Sequence, residues 1–166
     1  MRNELSKKDI ADMEKEIEHR KVIVRPELLE HVKEARAQGD LSENFEYYAA
    51  KKEKNKNESR IRYLERMIKT AVVIEDASRE DEAGLNKSVK VEFVEDGSMA
   101  NYKLVTTVRG NSLAGLISIE SPVGKALLGH KVGDTVHVQV NPQVGYDMIV
   151  KSITDDSDTD EKLRSF

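Results

Sequence analysis

The sequence predicts an α + (α+β) architecture: an N-terminal antiparallel coiled-coil hairpin of two helices, followed by a small antiparallel sheet domain with one short helix. Three observations carry this. Apolar residues recur at helical spacing through residues 10–35 and again through 47–71, on either side of the short string AQGDLSEN. After residue 75 the pattern changes to short β-branched runs separated by turn residues. The charge balance shifts at the same place, since residues 1–70 carry 17 Lys and Arg against 15 Asp and Glu, whereas residues 71–166 carry 10 against 16. A composition break of this kind marks a domain boundary.

The first helix is read from Ile10, Met13, Ile17, Val24, Leu28, Val32 and Ala35, which fall on one stripe. Coming back from residue 71, Ala71, Ile68, Leu64 and Ile61 repeat the signature, and Ala50 and Tyr47 continue its phase. Between them Gly39 can end one helix, and Asp40 or Ser42 can begin the next. Helices joined by so short a link fold back antiparallel. With the turn centred near Leu41, Val22 falls opposite Ile61 and Met13 close to Ile68. At about 27 residues per helix the hairpin is about 40 Å long. Pro26 removes a backbone donor and predicts a kink or short break around residues 24–26. The run KKEKNKNESR at 51–60 has no apolar side chain, so the seam there must be filled by Asn, Ser and the aliphatic stems of Lys.

The hairpin is assigned to residues 1–74 with an acidic tip at 39–46, and the turn-rich stretch 75–86 reads as a linker. Within 87–153, the segments SVKVEFV, NYKLVTTV, LISI, DTVHVQV and YDMIVKSI read as five strands. SPVGKALLGH reads as a helix covering one face of the sheet, with Ser121 as N-cap, Pro122 at the first helical position and Gly129 as the stop. Residues 154–166, TDDSDTDEKLRSF, are polar and acidic and predict a disordered tail.

Composition excludes several functions. Charged residues make up 35% against 5% aromatic, and Trp is absent, a balance that suits a long solvated helical element better than an aromatic-lined substrate pocket. The absence of Cys removes disulfides, Cys-based zinc sites and thiol nucleophiles. His19, His31, His130 and His137 include no HxxH or HExxH spacing. No stretch approaches the roughly 20 apolar residues of a membrane span, and MRNELSKKDI lacks an apolar export region. A cytoplasmic monomer without a membrane partner is expected.

At the hairpin turn, Asp40 and Glu43 lie within a few residues of each other. Asp-x-x-Glu before a helix is also a capping box, and acidic groups at a helix start are favoured by its dipole. The surrounding string EARAQGDLSENFEYYAAKK, through Ala35, Arg36, Gly39, Asp40, Leu41, Glu43, Asn44, Glu46, Tyr47, Ala49 and Ala50, resembles the tip signature of the Gre (GreA/GreB) family of transcription elongation and transcript-cleavage factors. ISIESPVGKALLGHKVGD resembles that family's C-terminal domain, and Arg25-Pro26-Glu27 its mid-helix Arg-Pro-Glu. The chain departs from the family pattern in LSKKDIADMEKEI, where a Thr-x-x-Gly segment is usual, in VTTVRGNSLAG, and in its acidic tail.

The resemblance implies a coiled-coil hairpin joined to an FKBP-like C-terminal domain, and a role as helper of bacterial RNA polymerase. The hairpin would enter the polymerase's secondary channel, and Asp40 and Glu43 would share a Mg²⁺ with the polymerase active site, which then hydrolyses the extruded RNA 3′ end. Glu46 would orient neighbours. On this reading the isolated chain binds no cofactor and has no active site of its own, and it reaches the nucleoid through the polymerase. Arg36 and Lys51 match positions that contact the extruded RNA. Tyr47 would stack on a base or pack beside the turn. Glu120, Ser121 and Pro122 correspond to the segment that docks on the channel rim, and the same residues make a plain helix cap. Three alternatives remain at this stage: a paralogue that occupies the channel as an inhibitor, a coiled-coil adaptor, and a prolyl isomerase suggested by fold alone.

Overall fold

The computed structural model describes residues 3–38, 44–157 and 161–165. The chain divides into two compact units, one of Met1–Asn3 and Lys8–Val72, the other of Glu4–Lys7 and Val73–Phe166. Two short strands, β1 (Asn3–Leu5) and β2 (Ala71–Val73), pair as a ribbon. Among the described residues no helix is long and apolar enough to cross a membrane.

The first unit is the hairpin. Its outgoing arm runs through α1 (Lys7–His19), a π-helical turn (Arg20–Val24) and α2 (Arg25–Arg36); α3 (Phe45–Lys69) returns. The expected stripe is the inward face: Met13 and Ala35 are buried, and Ile10, Ile17, Val24, Leu28 and Val32 are half-buried. On α3, Ile61 and Leu64 are buried and Tyr47, Ala50 and Ile68 half-buried. Pro26 neither breaks nor stops the arm. In an unbroken α-helix it would leave the Val22 carbonyl unbonded and press its ring against it. The preceding turn instead widens, with the Arg25 amide donating to the Arg20 carbonyl five residues back. This added turn rotates Val22 outward, leaving it 61% exposed instead of facing Ile61.

Where the apolar stripe of α3 lapses, the seam is polar. Lys54 is half-buried and Asn57 buried, at the phase of the missing apolar residues. Arg20 Nη1 donates to Asn57 Oδ1 at 2.9 Å, and Asn57 Nδ2 donates back to the Arg20 carbonyl at 3.3 Å. Glu16 accepts from Arg20 Nε at 2.7 Å and from Arg60 Nε at 2.8 Å. One turn further on, Glu58 accepts from Arg25 Nε and Nη2 at 3.2 and 3.0 Å. Burial alone would raise the Glu16 carboxyl, but the hydrogen bonds and charges of Arg60 and Arg20 outweigh it and hold the group below its ordinary value of 4.5.

At the far end one residue serves both helices. The N-cap of α3 is Asn44, whose Oδ1 accepts from the Tyr47 amide at 2.9 Å. Its Nδ2 donates to the Ala35 carbonyl at 2.6 Å, in the last turn of α2. Asp40 and Ser42, the caps expected from the sequence, lie outside the described residues, and the N-cap position directly before Phe45 is held by Asn44.

The second unit holds a five-stranded sheet of order β5-β4-β3-β7-β6: β3 (Lys87–Phe93), β4 (Met99–Val105), β5 (Leu116–Ser118), β6 (Thr135–Asn141) and β7 (Val144–Asp155). All five expected strands are present, but the sheet is mixed. β5 lies parallel to β4, with Lys103 opposite Leu116, and the other pairings are antiparallel. The ten residues between β4 and β5 form two 3₁₀ turns and a left-handed Gly115, and they loop back to Lys103, so that β5 runs in the same direction beside the last three residues of β4. Val89, Val91, Leu104, Val136, Val138, Met148 and Val150 form the core with Leu127 of α4 (Pro122–Leu127).

Where composition predicts a disordered tail, the described residues have defined partners. Lys103, 6% exposed, donates to the Asp156 carbonyl at 2.7 Å and to Glu161 Oε1 at 2.5 Å. Arg109 Nη1 donates to the Glu161 carbonyl at 2.6 Å, and the Arg164 amide to the Val108 carbonyl at 2.6 Å. Two buried cations need acceptors, and the acidic segment supplies them.

Three outcomes are expected. Arg60→Ala removes the most buried charge of the seam network and should cost the hairpin about 3 kcal/mol in urea unfolding followed by helical circular dichroism; an unchanged midpoint would mean that the network carries no stability. Because Glu16 ionises more readily folded than unfolded, its stabilisation is complete above pH 4.5 and lost as pH falls through the lowered folded value. Glu16→Gln should flatten that acid dependence. Asn44→Ala should cost about 1 kcal/mol and speed hydrogen exchange of the Tyr47 amide, whereas Asn44→Asp should keep that amide protected and release Ala35.

Candidate functional site

The residues expected to carry function fall at two places, and each is described within its own unit. At the hairpin end, Asp40 and Glu43 lie outside the described residues. The cap that their spacing would allow them to form on α3 is supplied by Asn44. Glu46 is exposed in the first turn of α3, where the helix dipole favours its charge.

Arg36, Tyr47 and Lys51 come together. Arg36 Nη2 donates to the Tyr47 hydroxyl at 3.3 Å, and the guanidinium carbon lies 5.6 Å from the ring centroid. That hydrogen bond lowers the Tyr47 phenol from its ordinary value of 10.0; burial opposes the shift, and the charges of Lys51, Arg36 and Lys54 add to it. Lys51 stands one turn beyond Tyr47 and is exposed. Tyr47 also meets the Tyr48 ring edge-on at 5.4 Å between centroids. The ring is therefore held from two sides and bordered by cations.

Two further residues at this end were not singled out from the sequence. Phe45 is 85% exposed and Tyr48 53% exposed. The available signal was FEYY itself, three aromatics in four residues of a chain that is 5% aromatic.

In the second unit, Glu120, Ser121 and Pro122 form a braced ridge at the start of α4. Ser121 is the N-cap, accepting from the Gly124 amide at 3.1 Å while its hydroxyl donates to the Ser118 carbonyl at 2.6 Å. Pro122 holds the first helical position, and the left-handed Gly129 follows the helix, as expected. The Thr107 hydroxyl lies 2.7 Å from Ser118 Oγ and donates to Glu120 Oε2 at 2.5 Å, so the carboxylate has a fixed direction. Gly124 permits the close approach of α4, since a Cβ there would stand 2.1 Å from the Ser118 carbonyl oxygen. Ser121 also lines a groove of about 870 Å³ together with Lys162 and Arg164, so the ridge and the acidic segment border one concave surface.

Among the described residues no group of three or more His, Asp and Glu side chains is placed to hold a metal ion. The ridge offers one fixed carboxylate and a capped helix start, which suits a rigid contact surface.

Comparison with known proteins covers both units. Residues 3–73 match the family described as Transcription elongation factor, N-terminal, and residues 78–155 match Transcription elongation factor, GreA/GreB, C-term. The chain is 43% identical over 150 residues to Transcription elongation factor GreA of Geobacillus kaustophilus, covering 90% of this chain and 93% of that protein. With the same factor of Macrococcus caseolyticus it shares 44% identity over 126 residues, covering 76% and 80%. A crystal structure of GreA factor homolog 1 (Gfh1) protein of Thermus thermophilus shares 30% identity, with 92% of this chain and 99% of that chain covered and a TM-score of 0.43. Family matches across both units, with about 40% identity to curated relatives over most of the chain, establish that this protein belongs to the GreA/GreB family of transcription elongation factors.

Proposed function

We propose that this chain inserts its hairpin into the secondary channel of a bacterial RNA polymerase and stimulates the polymerase's own hydrolysis of RNA 3′ ends extruded from backtracked complexes. The observation that carries this reading is the division of labour at the hairpin end. Asn44 caps α3, so the acidic pair of the connecting segment loses its plain explanation as a helix cap. The cationic Arg36 and Lys51 flank the braced Tyr47 next to it.

Reach comes from the helices. The 25 residues of α3 span about 37 Å at 1.5 Å per residue, enough to carry a tip far into a narrow channel. The polar outer faces keep such a rod hydrated along its length.

Asp40 and Glu43 are the metal-site donors on this reading. Carboxylate oxygens are the hard ligands that Mg²⁺ takes, and two of them suit an ion whose other ligands come from the polymerase and from water. Bound in the complex, such an ion stabilises charge on the attacking and leaving oxygens of the phosphodiester. The isolated chain needs no site of its own. Arg36 and Lys51 pair with phosphates of the extruded strand, and Tyr47 presents its ring to a base. Glu46 borders the pair and orients neighbours. The ridge of Glu120, Ser121 and Pro122 meets the channel rim as a preformed surface.

Purified protein added to a backtracked polymerase complex should release short 3′ RNA fragments. Asp40→Asn combined with Glu43→Gln should slow release by about a hundredfold, the scale of losing a charge contact made in the transition state, while co-sedimentation with polymerase persists. A double variant that cleaves at the wild-type rate would overturn the role given to the pair. Wild-type protein that binds and releases nothing would mark a channel-occupying inhibitor.

A further inference from the structure

We infer that Phe45 and Tyr48 form a base-stacking platform on α3 that holds unpaired RNA bases beside the acidic tip. The inference deepens the cleavage reading above and rests on it.

Both rings are bare where a hairpin of this length has no need to expose them. Phe45 is 85% exposed and Tyr48 53% exposed. At about 100° per residue, positions 45 and 48 share one side of α3, and Lys52 joins them a turn later. That side lies away from the seam, whose members Tyr47, Ala50, Lys54, Asn57 and Ile61 are buried or half-buried. The rings are therefore not a continuation of the hairpin core.

Charge identifies the occupant. Lys51 and Lys52 stand next to Tyr48 on this flank, whereas Glu46 and Glu53 occupy the other flank of the same helix. Arg36 is held at Tyr47, on the Lys51 flank. Flat π-faces interleaved with cations on one side, and carboxylates kept to the other, match a single strand whose bases stack and whose phosphates pair with Lys and Arg. A protein partner's apolar pocket would not call for the cations, and a duplex would offer no free base faces. The platform is also stiff. Asn44 fixes the first turn of α3 through the Tyr47 amide, and Tyr47, braced by Arg36, supports Tyr48 edge-on at 5.4 Å. A base stacked there loses freedom without requiring the protein to order a loop.

Phe45 and Tyr48 are thus positioning residues for the strand, while Asp40 and Glu43 remain the groups placed near the reacting phosphate. The test uses the full-length chain and a backtracked polymerase complex carrying 4-thiouridine at the RNA 3′ end. Phe45→Ala with Tyr48→Ala should lower photo-crosslinking of RNA to the chain and cleavage at limiting factor, each by about tenfold or more, with polymerase binding unchanged. Phe45→Tyr with Tyr48→Phe should restore both, whereas Leu at both positions should restore neither, because only the former pair keeps π-faces. Asp40→Asn with Glu43→Gln should retain the crosslink and lose cleavage. Wild-type crosslinking and cleavage by the double Ala variant would overturn the platform and leave the cleavage reading standing. Loss of polymerase binding by that variant would assign the rings to a protein contact and overturn the platform as well. A wild-type chain that cleaves without crosslinking would overturn the platform alone, and one that neither crosslinks nor cleaves would overturn both readings.

Discussion

The hairpin depends on one polar crossing. Glu16 takes bonds from Arg20 on its own arm and Arg60 on the other, and Arg20 reaches on to Asn57. Apolar seams tolerate sliding, because a Leu one turn away fills much the same space. Directional bonds do not, since a slip of one turn would leave the half-buried Glu16 carboxylate and the buried Asn57 amide without matched partners. The crossing ties residue 16 to 60 and 20 to 57, and every pairing toward the turn follows from it, including the meeting of Ala35 with Asn44 that closes the end. A network of this kind adds modest stability compared with an apolar core. Its larger effect is to determine which residues stand at the extremity.

The same logic recurs in the second unit. Its apolar core positions the sheet, but the ridge at the start of α4 is oriented by hydrogen bonds: Thr107 to Glu120, Ser121 to Ser118, and Gly124 to Ser121. Lys103 and Arg109, buried under the acidic segment, give that segment a place on the surface. In both units, packing sets the frame and a few satisfied polar groups orient the candidate site residues.

Periodicity made the frame legible. The two hairpin stripes, the five strands and the capped helix at Ser121 all follow from spacing and punctuation, and even the polar filling of the seam at Lys54 and Asn57 could be anticipated from the missing apolar residues. What escaped was whatever depends on direction or on competition between equivalent signals. A run such as LISI has no arrow, so β5 was expected to be antiparallel. Pro26 signals a lost donor but not how the loss is absorbed, and the π-helical answer turned Val22 outward. Three residues near the turn satisfy the rule for a helix cap, and Asn44 is the one that caps α3, reaching Ala35 with the same side chain. Arg36 and Tyr47 were named from resemblance and are in contact, whereas the exposure of Phe45 and Tyr48 required a fold to define an outside. Asp40 and Glu43, proposed above as metal-site donors, lie outside the described residues, and that proposal draws on the motif around them.

The strand order has a consequence for how the molecule is made. β7 is the last strand synthesised, yet it lies between β3 and β6 and pairs with both. On a ribosome the sheet therefore lacks the strand between β3 and β6 until residues 144–155 emerge, while the hairpin, whose helices lie within residues 7–69, is free to assemble long before. The two units mature at different moments of translation. Every nascent chain thus passes through a stage in which the rod is finished and its companion domain is still an open set of strands, with β3 exposing a pairing edge that β7 later covers.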